Sequence, residues 1–238
     1  MSAPVDYEID EPLIAEVMRL LSGAEWAPLP RHRHGIPREE IELQQRARII
    51  TATAQHVVEH GYTNTKPREI ATRAGVSTRT FYDLYADKEA AFFAAYSLLD
   101  GVMIRIIRTP FDVADPRAAL RGGIGAFLRQ LAAAPLFTRL RLVEGRFAGQ
   151  KVLERQYEMY DAMVDRLHAD VQVVAESDPS VFVPTRGAMT ILVTGISGLV
   201  LQHLVEHGHE TLPELEPAII EICERVVFGD AAERPQEP

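Results

Sequence analysis

Residues 65–88 read TKPREIATRAGVSTRTFYDLYADK, and this stretch decides the fold. The pattern predicts two short helices with a tight turn at Gly75, because glycine adopts a positive φ without a steric penalty. Ala71 is small enough to let the two helices approach each other, and Phe81 would fill the angle between them. The apolar residues expected in their shared core are Ile70, Ala71, Ala74, Val76, Phe81 and Leu84. This spacing is typical of a helix-turn-helix, so we interpret the stretch as a unit that reads DNA.

The distribution of charge supports this interpretation. The 238 residues carry a net charge of −9. Residues 1–30 hold one arginine against six acidic residues, whereas residues 31–90 hold ten lysines and arginines against eight acidic residues, together with four histidines. The only net-positive region therefore contains the predicted helix-turn-helix. This is the pattern expected of a DNA-binding end that is joined to an acidic body.

The composition excludes several classes of protein. Hydrophobic residues make up 47% of the chain and charged residues 25%, which is typical of a soluble globular protein. We expect no membrane partner, because the sequence has no uninterrupted apolar run of the roughly 18 residues that a membrane helix needs. The acidic start does not resemble a signal peptide. Since Cys223 is the only cysteine, neither a disulfide framework nor a zinc-finger ligand set is expected, and a cytoplasmic location fits best.

The first 38 residues precede the reading unit. Residues 11–21 have the apolar spacing of an amphipathic helix, which would pack on its own core or on a second subunit, or else bind a partner protein. The proline-rich stretch that follows predicts an extended linker. Its basic residues are Arg31, His32, Arg33, His34 and Arg38. Two interpretations stay open: an arm that reaches the phosphate backbone or a minor groove, or a solvated linker.

The rest of the chain also shows helical periodicity and no strand-like alternation. Together with the two short helices, these segments predict an all-α fold of about nine or ten helices. The predicted helices are 39–60, 87–107, 116–134, a short one from 135, 151–176, 186–207 and 212–227.

Residues 46–92, which read RARIITATAQHVVEHGYTNTKPREIATRAGVSTRTFYDLYADKEAAF, resemble the TetR family of bacterial transcriptional regulators. The resemblance implies an N-terminal helix-turn-helix DNA-binding domain and a C-terminal helical domain that binds a small molecule and dimerises. The domains expected are residues 1–38 (amphipathic helix and basic proline-rich linker), 39–88 (helix-turn-helix), 89–230 (ligand binding and dimerisation) and 231–238 (a disordered tail).

The resemblance also assigns roles to individual residues. Arg68 matches a position that reaches a base edge, and an arginine fork fits the O6 and N7 atoms of guanine. Residues 78–80 open the second helix and would enter the major groove, whereas Tyr82 and Lys88 match phosphate-contacting positions. Thr65 is expected to cap the first helix, because Lys66-Pro67 replaces the usual capping pair. The full set of expected DNA contacts is Arg46, Arg48, Thr65, Lys66, Arg68, Ser77, Thr78, Arg79, Thr80, Tyr82 and Lys88.

The predicted body offers physical support for dimerisation. Small residues in the helix 186–207 would let two such helices pack closely across a two-fold axis, and the last helix adds an apolar stripe. We expect a homodimer through these last two helices, with intrachain packing as the alternative. The small residues are Ala188, Gly195, Ser197 and Gly198, and the stripe is Leu215, Ile219, Ile222 and Val226.

The expected effector pocket depends on weaker patterns. Aromatic and methionine residues at helical spacing would line a cavity for an apolar or amphipathic small molecule, or else form plain core. These residues are Phe127, Phe137, Tyr157, Tyr160, Met163 and Met189. Arg141, Glu144 and Arg146 would either recognise a polar ligand group or form surface salt bridges. His203 and His207 share a helix face, but they have no matching carboxylate or cysteine, so neither a metal nor a cofactor is expected.

These observations predict a homodimeric DNA-binding repressor that a small molecule releases from its operator. The alternative is a DNA-binding regulator without a small-molecule effector, which a partner protein controls or which acts as an activator. We do not expect an enzyme, because the sequence contains no nucleophile–base motif, metal signature or phosphate-binding loop.

Overall fold

The computed structural model describes residues 10–21, 37–107, 115–178 and 181–228, except for the side chains of residues 99–107. The described residues contain ten α-helices, two short 3-10 helices and no strand, which confirms the all-α prediction. The α-helices are α1 (Glu11–Leu21), α2 (Arg38–His60), α3 (Pro67–Ala74), α4 (Thr78–Leu84), α5 (Lys88–Ile107), α6 (Pro116–Ala133), α7 (Pro135–Leu142), α8 (Gln150–Ser177), α9 (Arg186–His207) and α10 (Glu216–Phe228). The 3-10 helices are Glu144–Phe147 and Leu212–Leu215.

The chain forms two compact units. Among the described residues, the first unit, which we call the head, contains residues 10–21, 37–103 and 139–155. The second unit, the body, contains residues 104–107, 115–138, 156–178 and 181–228. The head therefore includes a segment that follows the helix-turn-helix by more than fifty residues of sequence. The predicted domain limits stay predictions, since compactness does not by itself assign a function to a segment.

Helix α1 packs on α2 of the same chain. Its buried face consists of Leu13, Ile14, Val17 and Leu20. The helix begins at a cap, because Asp10 accepts a hydrogen bond from the Leu13 N–H at 3.0 Å. Packing on its own core was the first of the interpretations open for this segment. The basic residues Arg31–His34 lie outside the described residues.

The corner between α3 and α4 has the predicted geometry. Gly75 lies in the left-handed region with φ 66° and ψ 29°, where a side chain would cost roughly 1–2 kcal/mol. Ile70, Ala74 and Phe81 are all 0% exposed and join the two helices to one core. The helix-turn-helix therefore forms for the reasons visible in its sequence.

The helix caps follow the sequence with one correction. Ser77 accepts a hydrogen bond from the Thr80 N–H, and Asp87 accepts one from the Ala90 N–H. The expectation that Thr65 caps α3 is wrong, because its hydroxyl donates to the Gly61 carbonyl at 2.9 Å. The carboxylate of Glu69 instead reaches back one turn and accepts from the Lys66 N–H at 2.9 Å.

The core of the body contains a cluster of buried valines and a methionine from α8, α9, α10 and the segment between α8 and α9. Its buried members are Val164, Val171, Val174, Val181, Met189, Val193 and Val227. Helix α6 is joined to α10 by ion pairs of Arg121 with Glu224 at 2.7 Å and of Arg129 with Glu216 at 3.7 Å. A Cβ on Gly125 would lie 2.8 Å from an oxygen of Glu216, so a glycine fits this close approach of the two helices.

Candidate nucleic-acid interface

One face of the head carries most of the predicted DNA contacts. The side chains of this face are exposed: Lys66, Arg68, Ser77, Thr78, Arg79 and Tyr82, with Thr80 half-buried beside them. The side chain of Arg79 is 89% exposed and lies 4.0 Å from the carboxylate of Asp83, one helical turn away. Three cations and several hydroxyls thus project from the start of α3 and of α4, where a major groove could receive them.

The orientation of α3 is set by a polar network on α2. The guanidinium of Arg73 donates to both carboxylate oxygens of Glu59 and to the side-chain oxygen of Gln55. This hydrogen bonding lowers the pKa of the Glu59 carboxyl. His56 lies 3.4 Å from Glu69, the residue that caps α3. A bidentate arginine–carboxylate contact has a defined direction, so this network fixes the position of α3 relative to α2.

Two of the predicted contact residues are buried within the head. Arg48 is 7% exposed, and burial is the main cause that lowers the pKa of its guanidinium, against the attraction of Glu16 on α1. Thr65 is 2% exposed. Neither side chain is presented to solvent, so we leave both out of the contact set proposed below. Sequence periodicity could not reveal this for Arg48, because helix α1, which carries Glu16, lies upstream of the helix-turn-helix.

Lys88 is directed into the loop between α2 and α3. Its ammonium donates to the Tyr62 carbonyl at 2.8 Å, to the Thr65 carbonyl at 3.0 Å and more weakly to the Thr63 carbonyl at 3.4 Å. It also lies 4.5 Å from the centre of the Tyr62 ring. Since an ammonium has three hydrogens, these contacts use its donors within the protein. The structure therefore shows Lys88 as a residue that positions the loop.

Arg46 is half-buried on α2, next to the hydroxyl of Tyr85. Burial raises the pKa of Tyr85, while the positive charge of Arg46 acts in the opposite direction. The tyrosine is only 7% exposed. Arg46 can therefore reach a phosphate only with the part of its side chain that stays at the surface.

Glu144 is a residue of the head whose role the sequence did not reveal. Its side chain is 7% exposed, and its carboxylate accepts a hydrogen bond from the Tyr62 N–H at 2.8 Å. The two residues are 82 positions apart in sequence. The only sequence signal was a charged residue in a glycine-punctuated break, and its partner is a backbone amide that carries no side-chain pattern.

The predicted effector residues occupy different environments in the body. Tyr160 and Met163 pack against the buried cluster that contains Met189. The Tyr160 hydroxyl is hydrogen-bonded to Ser197 at 2.5 Å and accepts from the Gln156 amide at 3.0 Å. Phe137 is 9% exposed, Phe127 is half-buried and Tyr157 is 56% exposed. Three of the six residues therefore belong to one cluster, and Tyr157 faces solvent.

An apolar groove of about 390 Å³ runs along α9 and α10. It is lined by Ala188, Ile191, Leu192, Gly195, Ile196, Leu199, Ile219, Ile222 and Val226. Ile191 is 75% exposed and Ile222 is 46% exposed. Contiguous large apolar side chains on a protein surface are typical of sites that contact another apolar surface.

Helix α9 is also long and apolar enough, by length and composition, to cross a membrane, and it is the one described helix with this property. A single such helix is weak evidence for a membrane span, because an apolar helix of a soluble protein has the same composition. The histidines at and just beyond its C-terminal end form local contacts. His203 is hydrogen-bonded to the Thr211 hydroxyl and His209 to the Ala132 carbonyl. No group of three metal-ligating side chains occurs among the described residues.

The family model of the bacterial regulatory proteins of the tetR family matches residues 49–95. No curated protein matches the sequence. The fold is similar to that of the fatty acid degradation regulator FadR from Bacillus halodurans, with a TM-score of 0.61 and 19% identity over 75% of this chain and 93% of that chain. The regulator FadR from Bacillus subtilis, in complex with stearoyl-CoA, gives a TM-score of 0.62 and 18% identity over 76% and 97% of the two chains. SmeT in complex with triclosan gives a TM-score of 0.60 and 20% identity over 82% of this chain and 98% of that chain.

Identities this low show a shared fold and no more, whereas the family model identifies the region that carries the exposed face described above. The matched residues include all of α3 and α4, and the helices that follow have the fold of the solved regulators. Residues 49–95 therefore match the tetR family of bacterial regulatory proteins, and the described chain shares the fold of solved transcriptional regulators.

Proposed function

We propose that the protein is a homodimeric repressor that a small apolar or amphipathic molecule releases from its DNA operator. The observation that carries this proposal is the exposed face of α3 and α4. Arg68 and Arg79 project from it without being buried in the head. A guanidinium fork that reaches guanine forms two hydrogen bonds and distinguishes this base from the others.

The proposed DNA contacts are sorted by what each side chain can do. Arg68, Thr78, Arg79 and Thr80 would contact base edges, and Arg46, Lys66, Ser77 and Tyr82 would contact phosphates. Base contacts set the sequence preference, whereas phosphate contacts set the position and the salt dependence. Lys88 supports these contacts by holding the loop.

The apolar groove on α9 and α10 supports the homodimer. A two-fold interface uses the same surface on both subunits, so the exposed Ile191 and Ile222 would be covered by their own counterparts. In a dimer the two heads would reach successive major grooves if their α4 helices lie roughly 34–36 Å apart. An effector that binds better to a dimer of different spacing would lower DNA affinity by the ratio of its two affinities.

The body supports the effector part of the proposal. Its core joins a hydroxyl pair, Tyr160 with Ser197, to a lining of valine and methionine side chains. Ligand sites in proteins commonly combine such an apolar lining with a few polar groups. Two solved proteins of similar fold are complexes with stearoyl-CoA, which carries a long apolar acyl chain, and with triclosan.

The test begins with a duplex that the wild-type protein selects from a random-sequence pool, and binding is followed by fluorescence anisotropy. We expect Arg68→Ala and Arg79→Ala each to weaken binding by about 1–3 kcal/mol and to relax the preference at one base pair. Arg225→Ala is the control, since this arginine is exposed on α10 and pairs with Glu221. If both head variants bind the selected duplex as tightly as the wild type, the assignment of this face is wrong.

A second measurement separates the repressor from the alternative regulator without an effector. Fatty acyl-CoA esters and triclosan are added to the preformed complex with the selected duplex. An effector-controlled protein should release the duplex and show a higher melting temperature with the same compound. A compound that stabilises the protein without releasing DNA would contradict the release mechanism.

A further inference from the structure

The peptide group of Tyr62 is held at both of its ends. Its N–H donates to the Glu144 carboxylate at 2.8 Å, and its carbonyl accepts from the Lys88 ammonium at 2.8 Å. The ring packs edge-to-face on Phe92 with 5.0 Å between the ring centres. Tyr62 begins the loop between α2 and α3, so this loop is attached to α5 and to the 3-10 helix Glu144–Phe147.

Burial and packing define the position of Glu144. Its side chain is 7% exposed, and a buried carboxylate is costly unless it accepts hydrogen bonds. A bond from a backbone N–H to a carboxylate is stronger than a bond between neutral groups. Next to it, a Cβ on Gly145 would lie 2.9 Å from the ring of Tyr96, so the 3-10 helix packs tightly against α5.

The loop that Glu144 holds determines where α3 begins. Lys88 also binds the Thr65 carbonyl, and the Thr65 hydroxyl donates back to the Gly61 carbonyl. Helix α3 starts two residues later and presents Arg68 in its first turn. A displacement of Tyr62 would therefore move the start of α3 and the cation that it carries.

We propose that Glu144 is a positioning residue that holds the α2–α3 loop in the geometry required for DNA binding. The segment 139–155 would control this contact, since α7 and α8, which contribute its first and last residues, continue along the chain into residues of the body. Loss of the contact between Glu144 and Tyr62 is then the step that lowers DNA affinity. This inference rests on the proposed DNA-binding function.

The first experiment removes the hydrogen bond and then restores it. We expect Glu144→Ala to increase amide exchange in residues 61–66 about tenfold and to weaken binding to the selected duplex about tenfold. Glu144→Gln should recover most of both properties, because its amide oxygen can accept the same N–H. Glu154→Ala is the control for the loss of one negative charge, since this glutamate is exposed on α8 and contacts Gln150.

The second experiment displaces the 3-10 helix without removing the carboxylate. Gly145→Ala introduces a methyl group against Tyr96 and should reproduce the exchange and binding changes of Glu144→Ala. Gly123→Ala is the matched control, because a Cβ at this position of α6 meets nothing within 4 Å. The weakening should be equal for duplexes that differ in one contacted base pair, since a positioning residue reads no base.

The results distinguish this proposal from the proposed function. If the wild type selects no duplex, DNA binding fails as the function, and the role of Glu144 in DNA binding fails with it. If a duplex is selected but Glu144→Ala leaves exchange and affinity at wild-type values, only the role of Glu144 is overturned. If Glu144→Ala does not fold, Glu144→Asp takes its place, because it keeps the charge but moves the carboxylate oxygens away from the Tyr62 N–H. Its amide exchange and DNA affinity are then compared with those of Glu144→Gln, and wild-type values for Glu144→Asp overturn the role of Glu144.

Discussion

Arg79 and Lys88 are both cations of the helix-turn-helix region, but their surroundings differ. The Arg79 side chain is 89% exposed, whereas the Lys88 ammonium donates to carbonyls of the α2–α3 loop. Arg48, by contrast, is buried within the head. At the residue scale, the exposed fraction of each side chain therefore separates the residues that could contact DNA from those that hold the head together.

The first prediction at this scale concerns Gly75. Because its φ is 66°, Gly75→Ala should destabilise the head by about 1–2 kcal/mol through backbone strain. Steric crowding adds little, since the nearest atom to a new Cβ is an Arg48 nitrogen at 3.9 Å. Gly122→Ala, inside α6 and with open space around it, should be neutral or stabilising by about 0.5–1 kcal/mol. Thermal unfolding of the two variants checks the difference, and equal melting temperatures would contradict it.

At the scale of elements, α1 acts as a cover for α2. Its four buried apolar residues pack on α2, and its Glu16 lies near the buried Arg48. A helix of this length has little stability in isolation, so its packing on α2 must supply most of it. The segment 139–155 is a second element that packs in the head although it follows the helix-turn-helix in the sequence.

The prediction for this scale is that α1 depends on its buried face. Leu20→Ala should destabilise the packed helix by about 2–5 kcal/mol, because the leucine is 3% exposed. Met18→Ala should change stability by less than about 0.5 kcal/mol, because Met18 is 43% exposed. Amide exchange of residues 11–21 measures both effects. Unchanged protection of α1 in the Leu20→Ala variant would show that other contacts hold the helix.

At the scale of the whole molecule, we assign DNA binding to the head and dimerisation to the body. The head carries the exposed face of α3 and α4, and the body carries the apolar groove of α9 and α10. A groove lined by nine residues, nearly all apolar, loses contact with water when a second copy covers it, which favours association.

The prediction at this scale is the oligomeric state. Ile222→Glu should convert the proposed dimer to a monomer, because it places a charge in the lining of the groove. Val173→Glu is the control, since this residue is 48% exposed on α8 and does not line the groove. Sedimentation velocity compares the variants with the wild type. A wild-type protein that sediments as a monomer, or an Ile222→Glu variant that stays dimeric, would contradict the interface.

The sequence by itself determined the elements and the corner that joins them. Periodicity placed α9 at its observed bounds, and Gly75 with the apolar residues around it predicted the helix-turn-helix, because local sterics and side-chain spacing act within a few residues. Tertiary structure alone decided which polar side chains remain exposed. Arg48 is buried near α1, Lys88 binds loop carbonyls, and Glu144 reaches the Tyr62 amide across 82 residues. Such contacts join distant parts of the chain to backbone groups, which every residue possesses, so no pattern of residue types reveals them.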